Sequence, residues 1–571
     1  MPVREPYARG VRATVTLLLA VALVAGACAP APAPSGSVAP GTAAVPSGAA
    51  AAPPPCLSEA AAPGDRPWWS DRVFYEVFVR SFQDSNGDGI GDLGGLIDRL
   101  DELDDLGITG LWLMPVAEAT SYHGYDVTDY RAIESDYGTA EDFRALVAAA
   151  HDRGIAIVVD FVLNHTSIDH PWFQDSMARG EHADWYLWSD AKPSVARSDG
   201  TPVWHEAPDG RFYYGYFWEG MPDLNLENPA VQREIEDVAE YWLDEFGVDG
   251  FRLDAAKHLV EDANQLENTP ETHEWLQAFR DDVHARHPEA LILGEVFDST
   301  TMSSSYVKDA SLDLTFDFGL GSAAIISLNS RDAGSIAAAL DEVAGAYPRD
   351  TLATFLTNHD QNRVMDQLGD DVESARLAAK LLLTGPGVPF VHYGEEIGMT
   401  GRKPDERIRT PMRWDGTTPA AGFSTADPWE PLSDDAPGVN VADEAADADS
   451  LLSSYRDLIG LRAGRAALAA GDLVPVESGD RHVVAFLRTS GSDVVLVVAN
   501  LDVQPVESPS LTLDDGPLCE APRASVLWPD GAGDVAGELR GPSVSATGGF
   551  EEYVPLEHLG PREMVVIELT R

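Results

Sequence analysis

Short apolar runs alternate with stretches of helical period along most of this chain, and that alternation restricts the fold more than any other feature. Runs at 73–79, 110–116, 155–162, 248–253, 290–293, 312–316, 352–356 and 388–392 are apolar enough to be buried strands. Between them lie helical patterns with their own start and stop signals. Asp92 is placed to cap a helix carrying Leu93, Leu96, Leu100, Leu103 and Leu106 on one face, stopped by Gly107. Thr139 opens a second helix with Phe143, Leu146, Val147 and Ala150 inward, and Asn228-Pro229 opens a third through Val231, Ile235, Val238 and Trp242 to Gly247. Eight buried strands with intervening helices predict an α/β fold, a (β/α)8 TIM barrel over 67–165 and 226–470.

Two segments break the alternation. From 166 to 225 the chain is rich in Trp, Tyr, Gly, Pro and Asp without a helical period, which predicts a small domain inserted after the third strand. Its aromatics serve either as its own core or as platforms for stacking sugar rings. From 471 to 571, β-branched runs punctuated by Gly, Pro and Asp predict a C-terminal β-sandwich domain.

The N-terminus reads as an export signal over 1–28. Arg4, Arg9 and Arg12 precede an apolar run at 13–25, too short to span a bilayer and without a twin-Arg pair. The run ends in Ala25-Gly26-Ala27-Cys28, which resembles a bacterial lipobox, with Ala25 rather than a larger residue three places before the cysteine. That predicts lipidation at Cys28 and a cell-surface lipoprotein; without it the protein is secreted. Residues 29–66, rich in Ala, Pro, Ser and Gly, suit a flexible tether. With 3 cysteines in all, Cys56 and Cys519 are left to pair or to stay apart. The formal net charge of −55 argues against nucleic acid as a partner. A membrane is reached only through the anchor, and nothing in the sequence specifies an oligomeric state.

Chemistry-bearing residues gather where the predicted strands end. Asp160, Asn164 and His165 follow the third strand; Arg252, Asp254, Lys257 and His258 follow the fourth; Glu295 follows the fifth; Asn358-His359-Asp360 follows the seventh. Barrel enzymes collect their reacting groups at that face. In a strand, Arg252 and Asp254 share one side, so a guanidinium can orient a carboxylate and keep it ionised.

These motifs resemble the α-amylase family, glycoside hydrolase family 13, over nearly the whole chain after the tether. The matching stretches are Asp160 to His165 (D-x-V-x-N-H), Gly250 to Asp254 (G-x-R-x-D), Gly294-Glu295 and Asn358 to Asp360. Met221-Pro222-Asp223-Leu224-Asn225 resembles the group between oligo-1,6-glucosidases and neopullulanases. The resemblance implies that Asp254 is the nucleophile, Glu295 the acid/base and Asp360 the stabiliser of the transition state. It also implies that His123, Tyr125, His165 and His359 line or bind the sugar at the cleavage point, and that Lys257 and His258 lie on the leaving-group side. An α-glucan, starch or maltodextrin, is then the expected substrate, cleaved at α-1,4 bonds by an endo-acting α-amylase. Siblings remain open: a cyclomaltodextrinase or neopullulanase, an α-glucosidase, a transglycosylase, or at a distance a non-catalytic glucan-binding protein. Arg409 matches an arginine that in oligo-1,6-glucosidases pairs with an aspartate, but Tyr122 stands at the aspartate's position, which favours an open cleft.

The loop after the first strand alternates Asp84, Asn86, Asp88, Ile90 and Asp92 with glycines. Carboxylate, amide and carbonyl oxygens at that spacing suit Ca²⁺ as cofactor, and relatives with this loop bind calcium there. A second calcium site using Asn164 is common in α-amylases, but the sequence offers no clear match for its other ligands.

Overall fold

A computed structural model of the chain describes residues 66–261, 265–518, 522–529 and 539–570. The predicted signal, the tether, Cys28, Cys56 and Cys519 lie outside the described residues. The eight predicted strands form one closed, all-parallel barrel. In order they are β1 (Phe74–Val77), β2 (Gly110–Leu113), β3 (Ala156–Phe161), β4 (Gly250–Leu253), β5 (Leu291–Gly294), β6 (Leu314–Phe316), β7 (Leu352–Thr354) and β8 (Val388–His392). The barrel closes by pairing β1 with both β2 and β8.

Large and small residues share the barrel interior. The rings of Phe74, Trp112, Phe316, Phe355 and Phe390 fill its axis, and space for them comes from glycine. A Cβ on Gly110 would lie 2.5 Å from the Phe74 ring, and one on Gly250 would lie 2.2 Å from the carbonyl oxygen of Leu291. Above this apolar layer comes a polar one. Register places Asp160 beside Arg252, and Glu76 beside both Trp112 and His392.

The helices start and stop where the sequence signals them. Asp92 accepts from the backbone of Gly95, Thr139 forms a capping box with Asp142, and Asn228 caps Pro229–Tyr241. One expected helix is broken: 93–106 divides into Leu93–Asp98 and Leu100–Leu106. At the break the Arg99 guanidinium lies 4.2 Å from the Trp414 ring centroid and bonds Gln83 and Glu102.

Between β3 and β4 the chain forms a helix, Pro171–Met177, and a small antiparallel sheet of Trp188–Ser189, Phe212–Tyr214 and Trp204–Glu206. Phe173, Tyr186, Trp188 and Tyr213 pack together as its core. After the barrel, β9 (Asp472–Ser478), β10 (Val483–Ser490), β11 (Asp493–Asn500), β12 (Leu511–Asp515), β13 (Arg523–Trp528), β14 (Gly548–Tyr553) and β15 (Met564–Thr570) form one antiparallel sheet in the order β13-β15-β11-β10-β9-β12-β14. β9 pairs with β10 along its first part and with β12 at its end, so the sheet folds over itself. Val483, Ala485, Leu487, Leu496 and Ile567 share a core with Leu511 and Phe550, while Phe486, Val497 and Val566 join the core shared with the barrel helices. Burial on both faces is why β10, β11 and β15 read as nearly unbroken apolar runs.

Candidate active site

A cleft of about 540 Å³ opens at the C-terminal ends of the barrel strands. Its floor is organised by Arg252, fully buried at the top of β4. One nitrogen, Nη1, donates to Asp160 Oδ1 and Oδ2 at 2.7 and 2.9 Å and to Asp254 Oδ1 at 2.8 Å; Nη2 meets Glu295 Oε2 at 2.7 Å. The Arg252 guanidinium also lies 5.1 Å from the Trp112 ring centroid. Period-two alternation brings Arg252 and Asp254 to one side, as expected; register across β3 and β4 adds Asp160. Ala255, directly after Asp254, has a left-handed φ of 51°, and its N–H reaches Glu295 Oε2 at 3.3 Å. That kink turns the chain away from β4 and lets the fifth-strand carboxylate approach the fourth.

Burial pushes the carboxyls of Asp160, Asp254 and Glu295 upward, and the Arg252 guanidinium opposes the rise in each. Mutual repulsion adds to the rise. One cation cannot keep three buried neighbours ionised, so this group holds a proton near neutrality. Such a cluster can offer a carboxylate and a carboxylic acid together. Asp360 differs, since 46% of its side chain is exposed to the cleft.

The remaining expected residues also line or underlie the cleft. Tyr125 donates from its hydroxyl to Asp160 Oδ2 at 3.0 Å and lies 2.7 Å from His359 Nε2. His123 accepts the Tyr125 N–H at 3.1 Å. His165 lies with Nε2 3.1 Å from the Tyr125 carbonyl and Nδ1 3.3 Å from the Asn164 amide; a sugar oxygen would share the Nε2 proton in a forked bond. Burial lowers His165 to about 3 and His258 to about 4, so both imidazoles are neutral. The His258 ring meets Tyr216 in a tilted contact, centroids 3.9 Å apart, and its Nδ1 lies 2.7 Å from the Leu266 carbonyl. Lys257 donates to the Phe297 carbonyl and pairs with Glu267 and, at 3.7 Å, Asp298. Arg409 donates to the His359 carbonyl and to Asp360 Oδ1, each at 3.0 Å, and faces Asp405 Oδ2 at 3.7 Å.

Several lining residues had no role assigned from sequence. Trp218 and Phe297, 50% and 62% exposed, flank the cleft with Arg197, Tyr216, Phe217 and Asp405. Trp218 and Phe217 were recognisable only as aromatics beside the M-P-D-L-N stretch. Glu76 had a sharper signal, a single acid inside an apolar strand.

The Asp84–Asp92 loop closes on itself. Asp84 Oδ1 accepts from the backbone of Asn86 and Gly87, and Oδ2 accepts from Gly89 and from the Ser424 hydroxyl. Asn86 and Asp88 each accept from the backbone two residues on, and Asp92 accepts from Ser85. The donors are all oxygens, three of them carboxylates, and this chemistry fits a hard cation. Among the described residues no three His, Cys, Asp or Glu side chains converge as a ready-made cage. Asn164 does have a carboxyl partner in Asp223, which burial pushes up to about 8; its Oδ1 accepts the Tyr216 N–H at 3.1 Å.

Comparison with known proteins agrees with this geometry. The family profile described as "Alpha amylase, catalytic domain" matches residues 76–471. The chain is 40% identical over 447 residues to alpha-amylase 3 of Dictyoglomus thermophilum, covering 77% of this chain and 86% of that protein. It is 31% identical over 517 residues to the oligo-1,6-glucosidase of Parageobacillus thermoglucosidasius, covering 76% and 91%. The crystal structure of an alpha-amylase from H. orenii superposes with a TM-score of 0.71 at 37% identity, over 88% of this chain and 99% of that one. Barrel, motif residues and relatives agree: the chain belongs to the α-amylase family of glycoside hydrolases, family 13.

Proposed function

We propose that the protein is a retaining hydrolase of starch and maltodextrins that cleaves internal α-1,4 bonds through a covalent glycosyl-enzyme. What carries this reading is the sharing of one guanidinium by Asp254 and Glu295. Adjacent nitrogens holding both carboxyls favour the spacing of about 5–5.5 Å of a retaining pair over the wider gap of an inverting one. Asp254 attacks the anomeric carbon while Glu295 protonates the leaving oxygen, then Glu295 takes a proton from the incoming water. Asp360 and the neutral histidines meet the hydroxyls of the reacting sugar. Ala255 after the nucleophile and Tyr122 in place of an exo-sealing aspartate support the α-1,4, endo assignment.

A second reading is favoured by Asp405. It supplies Arg409 with a carboxylate from a different position, which would narrow the non-reducing end and favour short oligosaccharides. The experiment is a product time course on soluble starch and on pullulan, with wild type and Glu295→Gln. Mixed maltooligosaccharides from starch in the first minutes, absent in the variant, support the endo reading. Glucose or maltose alone, or preference for pullulan, replaces it with the oligosaccharide-directed reading.

Calcium at the Asp84–Asp92 loop has a structural place in this proposal. Pro428–Trp429 and Phe423–Ser424 lean on the loop, so an ion held by Asp84, Asn86, Asp88, Ile90 and Asp92 would brace the mouth of the cleft. Export, with Cys28 as lipid attachment, completes it, since an insoluble glucan must be met outside the cell.

A further inference from the structure

Glu76 faces the barrel axis from β1 with only 2% exposure. Among the described residues its one ion-pair partner is His359. Glu76 Oε1 lies 2.5 Å from His359 Nδ1 and 3.3 Å from the His359 backbone nitrogen. The other ring nitrogen, Nε2, lies 2.7 Å from the Tyr125 hydroxyl and 3.4 Å from Asp360 Oδ2. Tyr125 gives its one proton to Asp160, so its oxygen can only accept from Nε2. The Asp360 carboxylate is an acceptor as well. Both neighbours of Nε2 therefore require an N–H there. A neutral imidazole has one N–H, which leaves Nδ1 as an acceptor, and the proton in the 2.5 Å contact must come from Glu76.

The surroundings agree. Burial pushes the Glu76 carboxyl well up and the His359 imidazole well down. The titratable groups facing the pair include Arg252, Asp160 and Asp360 around Glu76, and Asp360, Arg252, Arg409, Lys403 and His123 around His359. His392, the register neighbour of Glu76, has no hydrogen-bond partner among the described residues on either ring nitrogen, so it does not compete for the Glu76 proton.

We propose that Glu76 is a positioning residue: as a carboxylic acid it donates to His359 Nδ1, and so holds the Nε2–H toward Tyr125, Asp360 and the sugar in the cleft. Only the last step, the sugar, rests on the proposed glycosidase function.

The test uses the full chain with Glu76→Gln and Glu76→Met. A glutamine amide still donates to Nδ1; methionine fills the space without a donor. Kinetics on α-glucosyl fluoride read bond cleavage whatever glucan the enzyme prefers, so failure of the starch reading and failure of this one are separable. We expect Glu76→Gln to keep kcat within about 3-fold, and Glu76→Met to lose about 10²-fold in kcat with little change in KM, the scale of losing the hydrogen bond that orients a histidine. Nitrogen-15 spectra of histidine-labelled protein, assigned by loss of the signal in His359→Gln, should give the Nε2–H tautomer in wild type and in Glu76→Gln. That readout stands even where Glu76→Met fails to fold. A proton on Nδ1 in wild type, or a Glu76→Gln variant as impaired as Glu76→Met, overturns the proposal, because a carboxylate acceptor would then be what His359 needs.

Discussion

Arg252 carries one positive charge and bonds three carboxyl groups, so the site's protonation is a property of the cluster rather than of any member. Asp160 lies beneath the cleft rather than among its lining residues, but its negative charge raises the proton affinity of Asp254 and Glu295, and it fixes the guanidinium they share. Asp160→Asn should therefore do two things. Removing a negative charge moves both limbs of the kcat/KM profile to lower pH. Loosening Arg252 lowers kcat by about 10²-fold, the worth of a charged hydrogen bond of ~1.5–3 kcal/mol. A profile measured between pH 4 and 9 checks this (roughly the span over which such carboxyls titrate), and limbs that stay in place refute it. The sequence revealed Arg252 and Asp254 as a pair because both lie on one strand with period two. The reach of Asp160 to Arg252 depends on strand register, which no single strand discloses, and the same holds for Glu76 and His359.

Elements show a similar division between local and long-range information. Strand order, caps and the stops at Gly107 and Gly247 were legible because each is written within a few residues. The break at Arg99 was not, since the groups Arg99 meets there, Trp414 and Gln83, lie outside the helix and Trp414 is far away in the chain. Nor was the clamp at the end of helix Val372–Thr384. There Arg488, from β10, donates to the carbonyls of Thr384, Gly385 and Gly471, and Arg462 donates to those of Leu383, Gly385, Gly387 and Ala469. Neither guanidinium has a carboxylate partner among the described residues; the carbonyl end of the helix dipole takes that place. Arg488→Ala would take this donor from the carbonyls of Thr384 and Gly471, leave Gly385 with Arg462 alone, and open a void between barrel and C-terminal sheet. It should cost about 2–4 kcal/mol in urea unfolding, and a loss below about 1 kcal/mol would show the clamp to be incidental. The turn after β8 holds a second buried polar group. Tyr75 donates to Glu396 and Tyr455 to Glu395 at 2.8 and 2.7 Å, while the other oxygen of each carboxyl has no hydrogen-bond partner among the described residues. Burial raises Glu395 to about 8 and both Glu396 and Glu444 to about 7. These folded values lie above the unfolded ones. Their contribution is thus complete below about pH 4.5 and is lost as pH rises through about 7 to 8. Tm should fall between about pH 4.5 and 8, and Glu395→Gln should flatten that fall.

At the scale of the molecule the dominant quantity is charge: 94 acidic side chains against 39 basic ones, a net −55. Such an excess repels itself more strongly in the compact state than in the expanded chain, so unfolding relieves it. Screening should remove much of the cost, because at ~1 M salt the Debye length is about 3 Å. We therefore expect Tm at about pH 8 to rise by several degrees between low salt and ~1 M NaCl, with calcium held constant and sucrose of equal osmolality as the control. A flat or falling Tm would mean that the surface carboxylates are already neutralised by their neighbours. Salt also separates two sources of pH dependence that act in the same direction. Titrating surface carboxylates toward the pI of about 4.3 lowers the net charge, and protonating Glu395 and Glu396 removes charge from the interior. Ions reach the first set and not the second. In ~1 M NaCl the fall of Tm with pH should therefore shrink without vanishing, and what remains should disappear in the Glu395→Gln, Glu396→Gln double variant. If high salt alone abolishes the slope, the buried acids contribute nothing to it, and their protons are held at the same affinity folded and unfolded.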